Sequence, residues 1–434
     1  MNDFPEFAKR RRHLLEKLQP GSIAILVAAP EANRNSDCEY LYRQNSDFYY
    51  VTGFPEPEAV AVFIPGRKEG EFILFNRERD LLLETWNGKR AGQQGACEIY
   101  GADQAFSITQ LDQELPKLME GRSSLYYALG RRPDFDARII KWLEKIRAKV
   151  RRGAQAPSTV YNIEDLIHPM RLIKSSQEIA WMRKAAEISA QAHCRAMQQC
   201  RPGMREYELE AELVYTFIKN GSRAPAYNHI VGAGPNACIL HYNDNNAEIA
   251  SGDLVLIDAG AEYEYYAADI TRTFPANGRF SPEQRAIYEV VLATQLAVIA
   301  ILKPGLSWHK LEETAVQVMT EGLLNLGLLQ GKLADLIKTQ ACKTFYLHSI
   351  GHWLGMDVHD VGSYKKNNEW RPLQTGMVFT VEPGIYIPAH SDVDAKWWNI
   401  GVRIEDDILI TATGAEVLSS GVPKTIDEIE ALMS

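Results

Sequence analysis

Short apolar runs closed by glycine or proline alternate, in the first third of the chain, with stretches whose apolar positions recur every three or four residues. Segments 22–28 and 58–65 read as buried strands, the second closed by Pro65-Gly66, and Tyr49-Tyr50-Val51 reads as another, closed by Gly53. A turn-like stretch over 130–136 precedes a helical pattern through Ile139, Ile140, Trp142, Leu143 and Ile146. Segment 151–157, with Gly153 and two alanines, reads as a connector. The domain boundary is expected after it, giving a smaller mixed α/β domain over 1–172 and a second domain over 173–434.

At Ser175-Ser176-Gln177-Glu178 a capping box opens a long helix that stops at Arg201-Pro202-Gly203. A second helix, over 206–220, sets Leu209, Leu213, Phe217 and Ile218 on one face, with Gly221 placed for its C-terminal cap. The pattern then recurs. Ser281-Pro282-Glu283-Gln284 starts a helix that stops at Lys303-Pro304-Gly305, and Leu209-Glu210 falls in register with Leu311-Glu312. The second domain is therefore expected to hold two similar halves, each a helix pair with a β-hairpin, and sites form where such halves meet.

Composition narrows the class. A chain of 434 residues, 46% hydrophobic and 24% charged, has enough apolar side chain to bury a core, which excludes disorder. The net charge of −9 gives no support for binding nucleic acid or an anionic membrane. Six scattered cysteines without C-x-x-C spacing argue against a zinc ribbon and fit free thiols in a reducing compartment. No basic head with an apolar stretch follows Met1, and the apolar run 290–302, interrupted by Thr294 and Gln295, is short for a bilayer, so a cytoplasmic location is expected. Lys9-Arg10-Arg11-Arg12 falls in a helical pattern and reads as a solvated face.

The chemistry lies in the second domain. Leu254-Val255-Leu256-Ile257-Asp258 is a near-continuous apolar strand ending in an acid, and Asp269-Ile270-Thr271-Arg272-Thr273-Phe274 alternates like its partner. A hairpin turning at Tyr263-Glu264 would set Asp258 opposite Asp269 on one face. Two buried, facing carboxylates need a shared cation or a shared proton. Glu382 ends the strand-like Met377-Val378-Phe379-Thr380-Val381, just before Pro383-Gly384. Glu405 shares a face with Arg403, which stands either as its orienting partner or as an ordinary ion pair.

Eight of the ten histidines fall in this domain, which concentrates candidate ligands there. His348 and His352 have helical zinc-site spacing, but Gly351 and Gly355 disfavour a helix and no glutamate follows His348, so that motif is rejected. His13, His193 and His309 sit in helical patterns and read as structural. Four carboxylates with one histidine suit two hard divalent ions, manganese or cobalt in type, sharing a water as a hydroxide nucleophile. That set points to metal-assisted hydrolysis.

Ile257-Asp258-Ala259-Gly260, Asp269-Ile270-Thr271-Arg272-Thr273-Phe274, Gly351-His352-Trp353-Leu354-Gly355, Val381-Glu382-Pro383-Gly384 and Arg403-Ile404-Glu405-Asp406-Asp407, in this order, resemble the motifs of the pita-bread metallopeptidases. Within them the chain is most similar to the bacterial aminopeptidase P family, a likeness that extends to Arg34-Asn35-Ser36-Asp37 and Tyr42-Arg43-Gln44-Asn45-Ser46-Asp47-Phe48. The resemblance implies a creatinase/aminopeptidase-P-like N-terminal domain and a catalytic pita-bread domain, α+β, with pseudo-twofold repeated helices on a curved antiparallel sheet. It implies two divalent metal ions, most suitably Mn2+, held by Asp258, Asp269, His352, Glu382 and Glu405, with Glu382 also the proton shuttle. By the same resemblance His241 and His359 contact substrate and steady the tetrahedral intermediate. His348, Tyr386 and Arg403 surround the proline side, and Asp37 and Trp86 reach the active-site mouth. Peptides with proline second would be the substrates, and a homo-oligomer, dimer or tetramer, the assembly.

A proline dipeptidase shares metals and chemistry and is the nearest alternative. Methionine aminopeptidases normally lack the large N-terminal domain, creatinase-like enzymes do not need the five ligands, and binding-module relatives typically lack them. Segment 392–398, rich in Asp and Trp, departs from the family pattern and is expected beside the site.

Overall fold

The computed structural model describes residues 4–434, which divide into two compact units between Arg171 and Leu172. The first unit is built on a six-stranded mixed sheet: β1 (Ser22–Val27), β2 (Val60–Phe63), β3 (Phe72–Asn76), β4 (Gln104–Ser107), β5 (Ser124–Tyr126) and β6 (Thr159–Tyr161), in the order β4-β3-β2-β1-β5-β6. Connector 151–157 thus leads into β6 and not out of the unit. Ile23, Ile25, Val60, Val62, Ile73 and Phe75 form its core with Phe135, Ile139, Trp142 and Ile146 of the helix Pro133–Arg147.

Two expectations fail here for physical reasons. Tyr49-Tyr50-Val51 lies in a helix (Ser46–Thr52), because the Asn45 side chain accepts from Phe48 N–H at its start and Gly53, at φ +66°, closes its end. That helix also changes the basic cluster. Arg10 and Arg11 of the first helix (Phe4–Lys17) are buried and donate to the carbonyls of Tyr50 and Val51, with Arg10 over the Tyr50 ring and Arg11 over Phe72.

The second unit repeats a helix pair, here α1 (Ser176–Gln199) with α2 (Glu206–Lys219), and α3 (Pro282–Ile301) with α4 (His309–Asn325). The expected box at Ser175/Glu178 is present, and the helix start expected at Ser281 carries a matching box with Gln284. Gly203 and Gly305, at φ +90° and +86°, turn the chain identically after each first helix and donate to Ile249 O and Leu373 O, each at 2.8 Å.

The strands repeat as well. β7 (Ile230–Ala233) pairs with β8 (Leu254–Asp258), which pairs with β9 (Thr271–Pro275). In the second half the extended segment 350–354 bonds to β10 (Val378–Val381) through Thr380 N to His352 O and Leu354 N to Val378 O. β11 (Gly384–Ile387) pairs with β12 (Ile400–Arg403), and β10 with β13 (Asp406–Ile410). Gly252 before β8 and Gly376 before β10 take the same positive φ, so Asp258 corresponds to Glu382 and Gly232 to His352.

Helix α3 is long and apolar enough to cross a membrane by length and composition, which the sequence reading of 290–302 did not expect. Its buried Gln295 instead donates to Val381 O (3.2 Å) and Ile404 O (3.1 Å), anchoring the strand ends that carry Glu382 and Glu405.

Candidate metal centre

The strand ends open onto a cavity of about 880 Å³ lined by Asp258, Asp269, His352, Glu382 and Glu405 together with His241, His348, His359 and Arg403. The backbone register differs from the expected one. Asp258 pairs with Thr271, not Asp269, because the small hairpin Glu262–Tyr263/Tyr266–Ala267 turns at Glu264-Tyr265, both at positive φ. A slip of two residues preserves the face, so both carboxylates still point the same way. They meet at Tyr227, whose hydroxyl lies 2.5 Å from Asp258 Oδ1 and 2.5 Å from Asp269 Oδ1. One hydroxyl hydrogen cannot satisfy two carboxylates.

The remaining donors converge on the same place. Ligand atoms of Asp269, His352 and Glu405 lie within 4.8 Å of one another. His352 Nδ1 donates to Trp353 O (3.0 Å), which leaves Nε2 facing Asp269 Oδ2 and Glu382 Oε1, each 3.4 Å away. Burial pushes the Glu382 carboxyl up to about 7, with the Asp269 charge adding to burial and His352 opposing it. Burial and neighbouring carboxylates likewise raise Asp269 and Glu405. On His352 burial is overridden by the hydrogen bond and charge of Asp269, which lift it to about 9. Buried carboxylates and an imidazole that all hold protons more tightly than usual are a site short of positive charge, and hard divalent cations bind such a donor set, so these residues fit such ions. A second cluster, Asp47, Glu164 and His168 in the first unit, already holds guanidinium partners: Arg171 on Asp47 and Arg131 on Glu164.

Around the donors the charges are fixed. The strand pattern predicts an Arg403–Glu405 contact, but Arg403 bonds Thr271, Tyr386 and Asp258 instead. Its NH2 donates to Asp258 Oδ2 (2.6 Å) and its Nε to Thr271 Oγ1 (3.0 Å), while the Thr271 hydroxyl donates to Glu405 Oε2 (2.6 Å). Tyr386 is buried behind the wall and does not line the cavity; its hydroxyl accepts from Arg403 NH1 (2.9 Å) and bonds His348 Nε2 (2.8 Å). His348 Nδ1 donates to Ser349 O, and burial with Arg403 nearby pushes its pKa down to about 3, so the ring is neutral. His359 meets the His352 ring edge-on at 4.2 Å. No residue of 392–398 lines the cavity, since Trp397 is buried in the core and Trp398 Nε1 donates to Ser391 O and Val393 O. Asp37 and Trp86 are exposed in the first unit, Trp86 80% so.

Sequence reasoning assigned no role to Tyr227, Thr271 or Thr380. Thr380 accepts from His352 N (3.1 Å) and donates to Glu382 Oε1 (3.3 Å). Both threonines stand two residues from an expected ligand, Thr271 from Asp269 and Thr380 from Glu382, so strand periodicity is the signal that finds them. Tyr227 lies in a loop and carries no such signal.

The signature "Metallopeptidase family M24" matches residues 180–412 and "Aminopeptidase P, N-terminal domain" matches 7–126. The chain is 49% identical to an Xaa-Pro aminopeptidase of Escherichia coli over 429 residues, 99% of this chain and 97% of that one. It is 32% identical to human Xaa-Pro aminopeptidase 3, over 99% of this chain and 86% of the relative. The structure of Pseudomonas aeruginosa aminopeptidase PepP superposes with a TM-score of 0.98 at 58% identity, covering 99% and 97% of the two chains. A buried carboxylate–histidine set at the seam of a duplicated fold, under a signature spanning more than half of the sequence, places the chain in metallopeptidase family M24, whose members use divalent metal ions.

Proposed function

We propose that this chain is a dinuclear-metal aminopeptidase that hydrolyses the N-terminal Xaa-Pro bond of peptides and releases the first residue. The observation that carries the reading is the convergence of five intact donors on one cavity in a chain alike over its whole length to Xaa-Pro aminopeptidases. Asp258, Asp269, His352, Glu382 and Glu405 would hold two divalent ions, manganese being the best match to a carboxylate-rich set. Ions bound there would supply Lewis acidity, lowering the pKa of a water and polarising a carbonyl.

The chain's own groups do the rest. A bond before proline is a tertiary amide, so the leaving nitrogen must be given a proton. Glu382, on the cavity wall beside the other donors, can take a proton from the attacking water and return it to that nitrogen. His241 and His359 face the cavity where a tetrahedral oxyanion would form. Neutral His348 and Arg403, locked together by Tyr386, form the wall read here as the proline side. Exposed Leu81, Leu82 and Trp86 of the helix Leu81–Asn87 fit a homo-oligomer, dimer or tetramer.

The deciding experiment offers chelator-stripped, manganese-reloaded protein an Xaa-Pro-Xaa tripeptide and the matching Xaa-Pro dipeptide. Metal-dependent release of the first residue from the tripeptide is expected. Cleavage of the dipeptide alone would make the protein a proline dipeptidase, and silence on both refutes the specificity.

A further inference from the structure

The segment 345–350 has no helix or strand, yet it carries His348 and Ser349 into the cavity wall. A site side chain on a loop is placed only as well as the loop itself is held. Here the holder is α4. Glu312, in its first turn, accepts from Ile350 N (3.1 Å), from the Tyr346 hydroxyl (3.3 Å) and from Lys343 Nζ (2.6 Å). Lys343 Nζ donates in turn to His348 O (2.9 Å), and the Ile350 carbonyl accepts from Glu382 N (2.8 Å). One carboxylate thus joins the loop bearing His348 to the turn bearing Glu382.

The first half holds a counterpart. Glu210 occupies the matching place on α2 and bonds His229 Nδ1 (3.4 Å) and Asn245 Nδ2 (3.0 Å), while Asn245 Oδ1 takes the N–H of Val231 in β7 (3.0 Å). In both halves, then, the acid at one position of the second helix pins the segment that feeds the site. An acid serving only the helix terminus behaves differently: neighbouring Glu313 is exposed and pairs within its own helix, with Lys310 at 2.5 Å.

We propose that Glu312 is a positioning residue for the substrate wall, setting His348 against Glu382 through Lys343 and Ile350 without touching substrate. The choice of substrate in its test rests on the Xaa-Pro aminopeptidase reading. Glu312→Ala, Glu312→Gln and Lys343→Met are compared in the full-length, manganese-loaded protein, with Glu313→Gln as control. Glu312→Ala is expected to raise KM for the tripeptide about tenfold while kcat moves by less than about threefold. Glu312→Gln, which keeps an acceptor for Ile350 N–H, recovers most of the loss, and Lys343→Met raises KM about threefold. Metal content stays at the wild-type value in every variant, and amide exchange at Ile350 quickens in Glu312→Ala alone. Should Glu312→Ala not fold, Lys343→Met decides. A lowered Tm with unchanged KM and unchanged Ile350 exchange would reduce Glu312 to a packing role and overturn the proposal. A wild-type protein that cleaves no Xaa-Pro peptide would sink the functional reading instead, while the exchange measurement still decides the positioning.

Discussion

Lys174 and Asp360, the residue that follows His359, form an ion pair at 2.9 Å with both side chains 1% exposed. Lys174→Met keeps the aliphatic stem but removes the ammonium from a carboxylate that water does not reach. Breaking a buried pair from one side costs about 3–5 kcal/mol, far more than the pair's net worth, because the remaining charge keeps its desolvation penalty. For a unit of this size that is a fall of about 10 °C in Tm. Asp360 also donates its N–H to Trp353 O (2.8 Å), and its Oδ2 lies 2.1 Å from where a Cβ on Gly355 would sit, so the loop carrying His359 loosens with it. Urea titration of the transition of the second unit is the assay, with kcat read in parallel. Lys174→Met/Asp360→Asn, which removes both charges and keeps the shape, is expected to regain at least ~2 kcal/mol. A loss below ~1 kcal/mol in the single variant, or no recovery in the double, would refute the account of this pair as buried and mutually dependent.

Burial pushes the His193 ring, whose Nε2 bonds Ala259 O at 2.9 Å, from 6.5 down to about 4. The unfolded chain takes up that proton as pH falls through 6.5 and the native protein only near 4, so native stability drops across that window. Relative to His193→Gln, the wild type is expected to lose about 3 kcal/mol between pH 7 and 4, measured by denaturant titration; parallel curves would contradict it. Asp269→Asn should lower the metal bound per chain in elemental analysis, and a full two-metal content would remove it from the ligand set. Glu382→Gln should bind substrate but lose most turnover, about 10²-fold or more in kcat, whereas unchanged turnover would exclude the proton shuttle. Trp86→Ala, at a site 80% exposed, should leave stability within ~0.5 kcal/mol and shift KM with peptide length; a change in Tm alone would make Trp86 a packing residue.

What was legible in the sequence was local and periodic. Caps at Ser175 and Ser281 and the run closing on Asp258 were readable because each depends on near neighbours. The pairing of Asp258 with Asp269 was misread by two residues, yet the conclusion that they share a face survived, because side chains alternate with period two. Tyr49-Tyr50-Val51 was misread because β-propensity was weighed above the Asn45 and Gly53 signals at its ends. What stayed hidden is tertiary. That Arg10 and Arg11 find buried carbonyls, that Tyr386 stands behind the wall, and that Tyr227 reaches two carboxylates depend on segments distant in sequence. Propensity and spacing hold no term for such meetings.

The correspondence of Gly232 with His352 has a wider meaning. A Cβ at Gly232 would stand 2.8 Å from Asn236 O and 3.1 Å from Ala237 N, so the first half has no room for a side chain where the second half supplies its imidazole. A cleft made from two equal halves would present the same face to a peptide entering either end first. This one is equal in backbone and unequal in chemistry, and a reaction that must tell an amino terminus from the rest of a chain needs that inequality. The duplicated scaffold provides the cradle, and the crowded Gly232, standing where the other half has His352, is one of the inequalities that give it a direction.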